Sequence, residues 1–470
     1  MTPRRITLAV ALASLIAAAA CLTVSLRSGP PAERSAHAAI RVVTPLLSVR
    51  RVPEIVRDDV ATARLQQALA LTVGNTHACL AVDGPTGRLS SINADIPLAP
   101  ASTEKLLTAA AALAAFGPDY RFRTTVYAPA APRAHAVDRL WFVGSGDPVL
   151  STPGYAAALA RAPLTRGSVT TPIGSLVDAI VAAGVTAVPN GIIGDDHLFD
   201  TSRQLAIWPP RFVVNGEVGP LGALTVDDGF VQPIGTRADD PAVNAAAVLK
   251  NLLTARGVDV GPVGHATAPK SAVAIASVSS PPLHDIVASM LSSSDNLTAE
   301  LLLRLLGTTV ASPGTTQAGV NVVIDRLRSL GVDTAALNVL DGSGLSPDDR
   351  VTCNALLAVL EKGDGARYRA LVDGLPVAGE RGTLADRFVG TPLAGHLRAK
   401  TGSLDGVTGL VGALDVHVPL RFAYVGNGNF ADAVGVAMRE KIATVLAAYP
   451  DVRLAAEIVP PPGPPAAGRS

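Results

Sequence analysis

With 470 residues, 48% of them hydrophobic and 17% charged, the chain has too much apolar content for a disordered polymer and enough length for two or three domains. Net charge is zero, aromatic residues make up only 4%, and no block of like charge occurs. Those features exclude the basic footprint and stacking platforms of a nucleic-acid binder.

The first elements concern targeting. Arg4 and Arg5 precede an uncharged apolar run, Ile6 to Leu26, followed by Arg27, Gly29, Pro30, Pro31 and Ala36-His37-Ala38. Residues 1–38 read as an export signal cleaved after Ala38 or as an uncleaved membrane anchor, which places the body of the protein outside the cytoplasmic membrane. Cys21 lacks a lipoprotein context, because Ala18 stands three residues before it. Cys79 and Cys353 either pair, as an exported chain allows, or remain two buried thiols. No Cys or His spacing suits a metal, and no cofactor is implied.

Further along, a helix is predicted over residues 57–73, then two strands about the Asp-Gly-Pro-Thr-Gly turn within residues 77–93. Residues 99–117, APASTEKLLTAAAALAAFG, predict an apolar helix ending at Gly117. From Arg121 to about Lys270 the chain is rich in Gly, Pro and Asp with brief β-like runs. A strand follows from Ala272, then helices over 282–306, three strands between His396 and Asn429, and a helix over 431–448. The tail 456–470 is proline-rich and reads as disordered. The predicted organisation is a helix-and-strand domain, residues 39–122 and 272–455, interrupted by a β-rich inserted domain, 123–271.

One charge is out of place in the apolar helix. Lys105 is one of only six lysines beside 33 arginines, and it alone has a serine, Ser102, three positions before it. Residues three apart share a helix face, so the amine can reach the hydroxyl. Serine needs such a base to become a nucleophile, and a helix start favours the negative charge that develops there. A bare S-x-x-K is more often a helix cap beside a surface charge than a catalytic pair. Two further strings decide between the readings. Ser294-Asp295-Asn296 offers a hydroxyl to relay a proton and an amide to hold a carbonyl. Lys400-Thr401-Gly402-Ser403 offers a cation and hydroxyls for a carboxylate, with a glycine that admits a ligand close to the backbone. Each alone is weak, but all three in this order form the signature of penicillin-recognising serine acyltransferases.

On these motifs, and on GSGDP (144–148), GPLGALTVDDG (219–229), DGSGLS (341–346) and LPVAGERGTL (375–384), the chain resembles the class C low-molecular-mass penicillin-binding proteins. These are the D-alanyl-D-alanine carboxypeptidases/endopeptidases of bacterial cell-wall metabolism. The resemblance implies an α+β fold, with a transpeptidase/β-lactamase-like domain whose antiparallel sheet is flanked by helices. It implies that Ser102 attacks the D-Ala-D-Ala bond of a peptidoglycan stem peptide, or a β-lactam antibiotic acting as inhibitor, with Lys105 as base. Ser294 and Lys400 would pass the proton to the leaving amine, and Lys400 would lower the Lys105 pKa. Asn296 would bind the acyl-side amide, Thr401 and Ser403 the terminal carboxylate, and the backbone N–H groups of Ser102 and Ser403 would form the oxyanion hole. Cutting of peptide cross-links belongs to the same expectation. The competing readings are a β-lactamase or esterase on this scaffold and a non-catalytic sensor of β-lactam or peptidoglycan. The family often carries an arginine or another polar residue after DGSGLS, where this chain has Pro347 and its next arginine is Arg350.

Overall fold

The computed structural model describes residues 52–132, 136–231 and 235–453. The predicted export segment and the proline-rich tail lie outside the described residues. Among the described residues, no helix is long and apolar enough to cross a membrane.

Five antiparallel strands form the main sheet, in the order Leu397–Leu404, Val407–Asp415, Pro419–Asn427, His77–Gly84, Gly87–Ile92. Both faces are covered, and the two-residue period of a strand sorts the side chains. Cys79, Ala81, Ala423 and Val425 enter the core built around the helix Lys105–Phe116. Ala78, Leu80, Val82, Phe422 and Tyr424 enter a second core with Leu65 and Leu69 on one helix and Ile442 and Leu446 on another. Burial on two sides explains why these strands read as continuous apolar runs such as LVGAL and FAYVG rather than as alternating ones.

The alanine-rich helix Lys105–Phe116 is buried from Lys105 to Leu113 and ends on Gly117, whose φ of 84° suits a residue without Cβ. It packs against the helices Asn296–Gly307 and Thr316–Ser329. Cys79, on a central strand, and Cys353, at the start of the helix Cys353–Lys362, form a disulfide.

Between the first hairpin and the later helices the chain builds another five-stranded sheet, ordered Val263–His265, Ile192–Asp195, Leu140–Val143, Arg123–Ala128, Val273–Ser279. Its first two pairings are parallel and its last two antiparallel. The helices Ile173–Ala182 and Pro241–Thr254 pack upon it through Leu176, Ile180, Leu249 and Leu253. Asp240 caps the second of these, accepting from the N–H groups of Ala242 and Val243. The strand Val273–Ser279 pairs with Arg123–Ala128, so the sequence boundary drawn at 271/272 lies just ahead of a strand that belongs to this second sheet. From here the chain reaches the helical region, where the Trp208 indole donates to Asp341 Oδ2 at 2.8 Å.

Candidate active site

Ser102 lies in a short 3-10 turn, Ala101–Glu104, that runs directly into the buried helix starting at Lys105. Ala101 has φ of +48°, a strained value for a residue with a side chain. Two glycines admit neighbouring backbone to this turn. A Cβ on Gly344 would sit 2.1 Å from the Ala101 carbonyl oxygen, and one on Gly402 would sit 2.7 Å from that of Pro100. The glycine of Lys-Thr-Gly therefore seats the strand against the serine turn.

Lys105 Nζ donates to Ser102 Oγ at 2.9 Å, to Asn296 Oδ1 at 2.6 Å and to the Ser343 carbonyl at 2.7 Å. Its side chain is fully buried. Burial lowers its pKa to about 8, against the carboxylates of Asp341, Glu300, Asp295 and Glu104, which pull it upward. Lys400, also fully buried, donates to Ser294 Oγ at 2.8 Å and to the Thr401 carbonyl at 2.9 Å. It is driven well below the ordinary lysine range, first by burial, then by Lys105 and Arg439. The two lysines thus act on each other electrostatically. Carboxylates act on Lys105, whereas the groups that act on Lys400 are the cations Lys105 and Arg439.

Ser294 occupies a left-handed conformation, φ 63° and ψ 37°, between the helices Leu283–Ser293 and Asn296–Gly307. That break turns its hydroxyl toward Lys400 while Asp295 caps the next helix by accepting from the Thr298 N–H. Thr401 and Ser403 lie on an edge strand of the main sheet. Thr401 Oγ1 is 2.8 Å from Thr383 Oγ1, and Arg439 donates to Ser403 Oγ at 2.8 Å and to the Gly402 carbonyl at 2.9 Å. A buried guanidinium behind these hydroxyls gives the strand end the charge that suits an anion. Asn296 Nδ2 donates to the Glu217 carbonyl at 2.7 Å.

The seven side chains singled out in the sequence, Ser102, Lys105, Ser294, Asn296, Lys400, Thr401 and Ser403, come together here. All but the two buried lysines line a cavity of about 660 Å³, with Leu345, Phe212 and Glu217. Arg211 reaches across from the short helix Pro210–Val214 to Asp405 at 2.8 Å. Sequence reasoning assigned no role to Ser343, Thr383, Glu217 or Arg439. DGSGLS and GERGTL marked the neighbourhoods of the first two, and nothing local marked the others. Arg350 donates to the carbonyls of Pro347 and Asp349, within its own loop.

A hydroxyl held by one buried lysine, beside a second hydroxyl–lysine pair, is the arrangement of a serine acyl-transfer centre. The sequence profile of the D-Ala-D-Ala carboxypeptidase 3 (S13) family matches residues 63–238 and 231–449, and the chain belongs to that family of serine peptidases. It is 36% identical over 346 residues to a carboxypeptidase of Mycobacterium tuberculosis, covering 71% of this chain and 72% of that protein. It is 31% identical over 467 residues to the D-alanyl-D-alanine carboxypeptidase of an Actinomadura species, covering 80% and 82%. The fold is similar to that of penicillin-binding protein 4 from Haemophilus influenzae, with a TM-score of 0.66 at 20% identity over 81% of this chain and 99% of the other. The same Haemophilus protein complexed with a β-lactam aligns with a TM-score of 0.59 at 20% identity over 82% and 98%. The expected α+β fold and serine D-Ala-D-Ala carboxypeptidase activity are thereby established.

Proposed function

We propose that Ser102 is the nucleophile of this carboxypeptidase and Lys105 its general base. The observation that carries the assignment is the 2.9 Å contact between Lys105 Nζ and Ser102 Oγ, made by a lysine that burial brings within reach of neutrality. Neutral Lys105 takes the Ser102 proton as Oγ attacks the carbonyl of the penultimate D-alanine. The developing oxyanion is met by the N–H groups of Ser102 and Ser403, a contribution that is large in a dry site. Asn296 holds the acyl-side amide. Thr401 and Ser403, backed by Arg439, hold the terminal carboxylate. Ser294, bonded to Lys400, hands a proton to the departing D-alanine amine, and water then releases the shortened stem peptide from Ser102.

The substrate is a peptidoglycan stem peptide outside the cytoplasmic membrane, where the N-terminal arginines and apolar run direct the chain. β-Lactams, which the Haemophilus relative binds, acylate the same serine. The division into residues 39–122 with 272–455 and an insertion at 123–271 is part of this reading. A second core drawn from residues 126–278 supports an inserted unit and carries its end past 271, through the strand Val273–Ser279. Incubation with fluorescent penicillin tests the assignment. Wild-type protein should carry a covalent label on Ser102 and Ser102→Ala should carry none. A labelled Ser102→Ala protein would overturn the choice of nucleophile, and rapid turnover without a persistent label would favour a β-lactamase.

A further inference from the structure

Glu104 closes the serine turn, directly ahead of the base, and the fold buries it completely. Oxygens of Glu104, Asp341 and Asp349 lie within 4.8 Å of one another, and all three residues are fully buried. Hydrogen-bond donors divide the three unequally. Asp341 accepts from the N–H groups of Ser343 at 3.0 Å, Gly344 at 2.6 Å and Ser346 at 2.8 Å, and from the Trp208 indole at 2.8 Å. Asp349 Oδ1 accepts from the Leu340 N–H at 2.8 Å, whereas its Oδ2 has no such partner. Neither oxygen of Glu104 has one.

Four donors replace the water that the Asp341 carboxylate loses on burial. A buried carboxyl without donors takes up a proton instead. Glu104, with no donor, and Asp349, with one, lie within reach of each other and of Asp341 and share it, the O–H of one donating to the other. Both Glu104 and Asp349 are pushed well above the usual carboxylate range, first by burial and then by neighbouring carboxylates.

We propose that Glu104 and Asp349 hold one proton between them and thereby act as positioning residues, fixing the number of negative charges that face Lys105. This rests on the assignment of Lys105 as the base. The charged and titratable groups that act on the pair and the lysine are Asp341, Glu300, Asp295 and the second buried lysine, Lys400. Glu300 accepts from the Gly342 N–H at 3.0 Å and is itself raised to about 8, chiefly by burial. Were Glu104 and Asp349 both ionised, Lys105 would face one anion more and hold its own proton further into the alkaline range. A shared proton removes that anion without opening the site to water.

A double-substitution cycle tests the charge count through the acid limb of the pH profile of kcat/KM. Glu104→Gln and Asp349→Asn each replace an acid by an amide of the same shape and leave one negative charge in the pair. Each alone should leave the limb in place. Together they remove the last charge, and the limb should move about one pH unit toward acid. A limb moved by either single change would mean two ionised carboxylates, and one unmoved by the double change would mean uncharged filler; each overturns the proposal. So would a rise in wild-type melting temperature with Ca²⁺ or Mg²⁺ that Glu104→Gln abolishes, since a metal would then fill the cluster.

Infrared difference spectra of wild type against Glu104→Gln at neutral pH need no turnover. They should show the C=O stretch of a protonated carboxyl in the wild type alone, and its absence would refute the shared proton. An enzyme that releases no D-alanine yet shows this band would contradict the catalytic assignment and leave the shared proton standing.

Discussion

Replacing Lys105 by arginine keeps a buried cation beside Ser102 and removes the base, because a guanidinium does not give up its proton in a protein. In the wild type the Lys105 pKa falls from 10.5 to about 8 through burial, so the neutral, base-competent amine predominates only above pH 8. About one molecule in ten is competent at pH 7. The second-order rate of acylation by a chromogenic β-lactam should therefore climb roughly tenfold between about pH 6 and pH 7, continue toward pH 8 and then level. Lys105→Arg should lose about 10²–10⁴-fold, the scale of general-base catalysis, and its residual rate should lack the limb near pH 8.

The same displacement has a consequence for folding. An unfolded chain keeps this proton until about pH 10.4, whereas the folded protein releases it near 8. The cost to stability, about 3 kcal/mol for a fall from 10.5 to about 8, is present in full below pH 8 and relieved as pH rises toward 10.5. Stability of the wild type measured against Lys105→Met in urea should therefore improve across that alkaline window. Stopped-flow acylation and urea titration at matched pH supply both curves. A rate that is flat from pH 6 to 8, or a Lys105→Arg protein acylated at the wild-type rate, would refute the reasoning.

Gly402→Ala would place a methyl 2.7 Å from the Pro100 carbonyl oxygen and 3.1 Å from Thr103 Cγ2, pushing the serine turn off its strand. Acylation should slow at least tenfold, the scale of a small misplacement of reacting groups, and a wild-type rate would show that the turn does not depend on this contact. The Cys79–Cys353 bridge closes a loop with a sequence separation of 274. Replacing both cysteines by alanine should lower stability by up to about 5 kcal/mol on loop entropy, as read by guanidinium unfolding. A loss below about 1 kcal/mol would mean that the native contacts alone hold these elements.

The parts of the site legible in the sequence were those set by local geometry. Ser102 and Lys105 are three residues apart on a helix start, so their meeting follows from helix pitch. Ser294-Asp295-Asn296 and Lys400-Thr401-Gly402 were legible only as strings whose order matched a known family, since no local rule carries either to Ser102. The Ser343 carbonyl that takes the third Lys105 hydrogen bond is 238 residues away, and Arg439 reaches Ser403 from a helix that carries no motif. Such partners follow from packing, to which periodicity is blind. The acids were equally hidden. Glu104, Glu300, Asp341 and Asp349 look like ordinary surface charges in sequence, and only the fold shows that all four are buried. Pairing of Cys79 with Cys353 was open for the same reason, because it depends on a strand and a helix start meeting across the sheet.

The central claim, that Ser102 cuts the D-Ala-D-Ala bond with Lys105 as its base, is tested most directly by mass spectrometry of muropeptides digested with wild-type and Ser102→Ala protein. The account predicts that the wild type converts pentapeptide stems to tetrapeptides with release of one D-alanine per stem and that Ser102→Ala leaves them intact. Pentapeptides untouched by a wild-type protein that β-lactam still acylates, or trimmed equally by Ser102→Ala, would contradict it.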